Sequence, residues 1–111
     1  MTLDLTDTDD ALRSLGWHTP DARDLRIDTT GSHDFQIGRA WSTDDAWDSM
    51  PAPGRITALL IADGVCRIEH GTREYSARRN HIVLLDSAVQ TRLTVATPTV
   101  RYLWHFQPTV L

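Results

Sequence analysis

The chain has 111 residues, 41% of them hydrophobic and 23% charged, the balance of one soluble globular domain with a modest core. A net charge of -4 without a basic patch argues against direct nucleic-acid binding, and a single cysteine, Cys66, excludes a disulfide framework and a cysteine-rich zinc site. No apolar run reaches membrane-spanning length and the acidic start MTLDLTDTDD is not a signal peptide, so no membrane partner and a cytoplasmic location are expected, in a bacterium whose GC-rich coding would explain eleven arginines and no lysine.

Residues 1–10 are polar, with a loose start. Thr8 or Asp9 can cap a short helix over 10–15, apolar at Leu12 and Leu15 and stopped by Gly16. Residues 17–20 read as a turn-rich link. Residues 24–30 alternate Leu25 and Ile27 with Arg26 and Asp28, the period of a first strand. A loop containing His33 follows. Residues 35–41 alternate cleanly: Phe35, Ile37, Arg39 and Trp41 share one face, and Gln36, Gly38 and Ala40 the other. Residues 42–54 carry acids, Trp47, Pro51 and Pro53, which reads as a long loop serving as a surface flap or pocket rim, with Asp44 and Asp45 solvated.

Residues 55–62 are apolar on both faces, as expected of a strand covered on both sides. Asp63-Gly64 is a two-residue hairpin signal joining this strand to 65–69. His70-Gly71-Thr72 is a turn, and 73–77 returns with Tyr75 as its one large side chain. Arg78-Arg79-Asn80 is a second turn, in which Asn80 can take the left-handed conformation. Residues 81–85 are then almost continuously apolar, closed by Asp86. Thus 64–86 reads as a three-strand meander that needs a second layer to cover it. Residues 91–96 and 99–106 are the last strands. In the latter, Val100, Tyr102, Trp104 and Phe106 share one face and Arg101, Leu103 and His105 the other. Seven or eight short strands with at most one helix give an all-β sandwich or small barrel, a single domain over 1–111 with an arm at 1–20 and a barrel at 24–106.

The run HGTREYSARRNHIVLLDS resembles the N-terminal sensor domain of AraC-family transcription regulators, the group often called AraC-binding-like. Gly71, Arg73 and Glu74 match the first part of its motif, and Val83, Leu84, Leu85, Asp86 and Ser87 the last. Arg79, Asn80 and His81 stand where that family usually has Pro, Gly and Asp, and Asn80 can supply the glycine's backbone shape. The resemblance covers roughly the last two-thirds of the chain. It implies a small cupin-like barrel (a double-stranded β-helix, or jelly roll), a small-molecule effector and homodimerisation. Regulators of that type also carry a helix-turn-helix module, and none is read in these residues.

Interior candidates for ligand contact are Trp41, Tyr102 and Trp104 as flat apolar walls, with Arg39 and Arg55 for a carboxylate; equally, the aromatics are what a domain of this size needs to fill its core. No catalytic residue, cofactor or metal ligand is assigned. His18, His33, His70, His81 and His105 are scattered without an H-x-H pair, His81 fits a turn hydrogen bond, and Cys66 reads as a small buried hydrophobe. There is no nucleophile elbow or phosphate loop. The expected function is a non-enzymatic ligand-sensing and dimerisation domain of an AraC-type regulator. The alternatives are a small cupin enzyme holding a divalent metal and a purely structural dimerisation module with a filled barrel.

Overall fold

A computed structural model describes residues 5–20, 24–32 and 34–110. Residues 1–4 and His33, read above as a loose start and a loop, lie outside them. Helix α1 (Leu5–Ser14) begins earlier than its capping pattern suggests. Asp9 and Arg13 pair one turn apart at 2.6 Å, and Leu12, with Leu15 just beyond the helix end, is fully buried. Docking of this apolar stripe, more than the weak local propensity of an Asp/Thr-rich segment, holds the helix. Gly16, at φ +90°, ends it, donating its N–H to the Arg13 carbonyl at 2.9 Å.

Among the described residues ten strands follow: β1 (Trp17–His18), β2 (Arg26–Gly31), β3 (Phe35–Ser42), β4 (Asp45–Ser49), β5 (Ile56–Asp63), β6 (Val65–His70), β7 (Arg73–Arg78), β8 (Ile82–Asp86), β9 (Thr91–Val95) and β10 (Thr99–Phe106). They form two five-stranded antiparallel sheets, in the orders β1-β4-β9-β6-β7 and β2-β3-β10-β5-β8. The inner faces meet around Trp47, Leu59, Ile61, Ile68, Leu85, Leu93 and Leu103, all 2% exposed or less. Leu15 closes over them so tightly that a Cβ on Gly38 would stand 2.3 Å from its Cδ1. These side chains fill the centre of the barrel.

Four sequence expectations are corrected. Residues 42–54 are not all flap: Asp45–Ser49 is a strand, paired to β9 on one side and β1 on the other, with Trp47 at the core. Asp45 is buried and not solvated, because Arg101 lies beside it (below). Asp63-Gly64 is not a hairpin. Strand β5 pairs with β10 and β8, and β6 with β7 and β9, so Gly64 turns the corner between the two sheets. Its φ is +91°, and a Cβ there would lie 2.5 Å from the Pro98 carbonyl oxygen, so both backbone sign and space demand glycine. The meander is likewise half right. Strands β6 and β7 form the expected hairpin around Gly71, whereas the second turn carries β8 into the other sheet. That turn has the expected chemistry: Asn80 sits at φ 70°, and the Arg78 N–H donates to His81 Nδ1 at 3.0 Å.

Candidate ligand site at the barrel mouth

The inward positions of β10 are Thr99, Arg101, Leu103 and His105, and they grade the barrel from one end to the other. Arg101 is completely buried. Its Cζ lies 3.9 Å from the centroid of the Trp47 ring, its NH2 hydrogen-bonds the Ser42 hydroxyl, and its NH1 is 3.5 Å from Asp45 Oδ1. The other Asp45 oxygen accepts from Trp47 Nε1 at 2.9 Å. Burial pulls the Arg101 pKa down, and Asp45 opposes that fall. Cys66 is buried among these strands, its thiol pushed up to about 11 by burial. This end of the barrel is plugged by an ion pair.

The other end is open. His105 stands there, 6% exposed, its Nδ1 sharing a hydrogen bond of 3.1 Å with the Thr57 hydroxyl, which lies 3.3 Å from Ser87 Oγ. Gly16 backs the ring: a Cβ at that position would meet Nε2 at 3.3 Å. Burial first, and the charge of Arg55 second, push the imidazole down to about 4. It is therefore neutral at pH 7, with one ring nitrogen a donor and the other an acceptor. Before it lies a hollow of about 370 Å³ lined by Arg13, Ser14, Gly16, Ser32, Gln36, Met50, Pro51, Ala52, Arg55 and His105. The rim is tied down by backbone bonds from Met50 N–H to Gly16 (2.9 Å), Ala52 N–H to Ser87 (2.7 Å) and Ser87 N–H to Arg55 (3.1 Å). Of the 42–54 segment, read from sequence as a flap or pocket rim, Met50, Pro51 and Ala52 line this hollow. Two guanidinium groups, a neutral imidazole, an amide and two hydroxyls around one concavity suit a small anion with hydrogen-bonding groups. Among the described residues no three His, Cys, Asp or Glu side chains cluster as metal ligands would.

The structure separates the five sequence candidates. Arg55 lines the mouth. Arg39, Trp41, Tyr102 and Trp104 stand on the outer face of the second sheet and not in the interior. There Arg39 is exposed, 5.8 Å from the Tyr102 ring, and Arg26 lies 5.4 Å from Trp41. Alternation gives the two faces of both strands, but the aromatic face, expected inside, is the outer one. The inner face of β3 instead carries small residues, Gly38 and Ala40, with Leu15 packed against Gly38, and that of β10 carries Arg101, Leu103 and His105. His105 and Gln36 are missed for the same reason, whereas Arg13 lies on α1, outside the strands. The signal for His105 was its place on the face shared by Arg101 and Leu103.

No family model and no curated protein matches the chain. Solved structures do. The cupin domain of an XRE-family transcriptional regulator from Enterobacter cloacae superposes with a TM-score of 0.69 at 11% identity, covering 78% of this chain and 99% of that one. An HTH_3-family transcriptional regulator from Vibrio cholerae gives 0.69 at 17%, over 80% of this chain and 54% of that. The EutQ protein of Clostridium difficile gives 0.67 at 11%, over 96% and 74%. At such identities the likeness establishes shape alone: two antiparallel sheets in a cupin-like fold.

Proposed function

We propose that the chain is a non-enzymatic sensor domain that binds a small carboxylate or phosphate at the barrel mouth and belongs to a transcription regulator. The observation that carries the reading is the union of Arg13, Arg55 and the neutral, Thr57-anchored His105 around one hollow at the open end of an otherwise filled barrel. An anion entering there meets the Arg55 guanidinium and that of Arg13, which is paired to Asp9, and the hollow matches a compact metabolite in size. The cupin domain of an XRE-family regulator and an HTH_3-family regulator among the structural neighbours support the attachment to a DNA-binding partner. The Gly71, Arg73, Glu74 and Val83–Ser87 pattern supports the AraC type in particular. Ligand binding would bias the Met50–Ala52 rim and the end of α1, which meet at the hollow, and so shift the state of an attached domain.

The test is a thermal-shift and calorimetric screen of small mono- and dicarboxylates and phosphate esters. A true ligand raises the midpoint as its concentration rises. Arg55→Ala is expected to weaken that ligand by about tenfold or more, and His105 should titrate at higher pH in its presence. No binder in the screen, or binding that survives Arg55→Ala unchanged, overturns the reading.

A further inference from the structure

The outer face of the β2-β3-β10-β5-β8 sheet is laid out in rows by the strand register. One row runs Asp28, Arg39, Tyr102, Leu60, Ile82. The next runs Thr30, Ile37, Trp104, Ala58, Leu84. Each row is polar at the β2 edge and apolar from the centre to the β8 edge. At that edge Ile82 and Leu84 are 67% and 69% exposed, the most exposed large apolar side chains among the described residues. At the opposite side, between Thr30, Ile37, Arg39 and Tyr102, the same face has a hollow of about 200 Å³.

We propose that a second copy of this chain covers this face, related by a two-fold axis running along β10, with Ile82 and Leu84 of each copy seated in the Thr30–Tyr102 hollow of the other. Three observations select a second copy. First, β10 is the central strand, so an axis along it carries the β8 edge of one copy onto the β2-β3 side of the other, placing ridge over hollow twice. Second, the same operation lays the acidic Asp63, opposite Val100 in the register, over Trp41 and between Arg26 and Arg39 of the partner, joining opposite charges at the rim. Third, the size fits. The five strands hold 35 residues between them, which at about 3.4 Å per residue and about 4.8 Å between strands gives a face of about 570 Å² in projection. With side-chain relief this approaches the roughly 800 Å² per partner of a stable interface. Tyr102 and Trp104 lie on the axis and meet their own copies, the central aromatic pairing that dimer interfaces favour. This assignment stands independently of what the mouth binds.

The experiment is analytical ultracentrifugation of the whole chain. The expected mass is twice 12.5 kDa, and a monomer at about 100 µM overturns the proposal. It also points to a different protein as the occupant. Leu84→Glu, Ile82→Glu and Thr30→Trp act from the two sides of one contact, and each is expected to weaken the dimer at least about 30-fold. Their far-UV spectra should match the parent, since all three side chains are exposed. Asp63→Arg should weaken the dimer and Arg39→Asp, added to it, should restore part of the loss. A dimer that ignores the ridge and hollow variants uses another face, and that result also overturns the proposal.

Discussion

At the scale of single residues, charge is managed in opposite ways at the two ends of the barrel. Arg101 and Asp45 are both out of water, 3.5 Å apart, with the Trp47 ring and the Ser42 hydroxyl completing the surround. A buried pair of this kind adds little against an apolar replacement, but breaking it strands a charge. Asp45→Asn keeps the acceptor for Trp47 Nε1 and removes only the counter-charge. It is expected to cost about 3–5 kcal/mol in urea unfolding, whereas Asp45→Leu with Arg101→Met should recover most of that loss. His105 is the reverse case, a group kept neutral. Its pKa in the fold is about 4, below its usual value of 6.5. Between those limits the unfolded chain holds a proton that the folded one does not, so stability is complete above pH 6.5 and falls as pH drops toward 4. The loss, with the shift fully expressed, is about 3 kcal/mol. His105→Gln should flatten that part of the pH–stability curve while leaving the rest of the acid limb in place; an unchanged curve would show that burial is not holding the imidazole neutral.

At the scale of elements, the strands obey local rules and their partners do not. Gly64 makes the point. Between two β-rich segments, Asp63-Gly64 has the local chemistry of a hairpin, yet β5 and β6 diverge into different sheets because each finds a better partner far along the chain, β10 and β9 respectively. Gly64→Ala is expected to cost about 2–4 kcal/mol, from a positive φ and a Cβ driven against the Pro98 carbonyl. A turn glycine in open solvent, such as Gly54 between β4 and β5, with nothing within 4 Å of its missing Cβ, should cost about 1 kcal/mol. Parallel thermal melts of the two variants compare them directly. Strand existence was legible because period-two alternation is local. Asn80 and Gly71 were legible because turn chemistry is local too. Strand β4 was not, because Asp45, Asp48 and Ser49 look like loop until Arg101, 56 residues on in the numbering, neutralises one of them. The inner face of β3 and β10 was not legible either. Alternation fixes two faces and not which one is buried, and here the heavier aromatic face lies outward. Of the site, Arg55 came through from sequence, while His105 depended on knowing which face of β10 turns inward.

At the scale of the whole molecule, Cys66 reports how the barrel opens. Its thiol is fully buried on β6, between β7 and β9 in the sheet and facing the other sheet across the core. Burial holds it protonated, at about 11, even with Arg101 nearby to favour the thiolate. Fraying of β7, the edge strand, removes Ala77 from its side but leaves the facing sheet and Trp47 over it. The thiol becomes reachable only when the two sheets part, and that parting removes the core shared by both. Labelling by a disulfide reagent at pH 8 should therefore proceed through global unfolding. Its apparent free energy should equal that from urea denaturation, and its dependence on urea should match the equilibrium slope. Asp45→Asn should speed labelling in proportion to its loss of stability, because the ion pair and the thiol occupy the same closed end. Rapid labelling with little dependence on urea would mean that one sheet peels away below the global transition, and the barrel would then be two cooperative units instead of one.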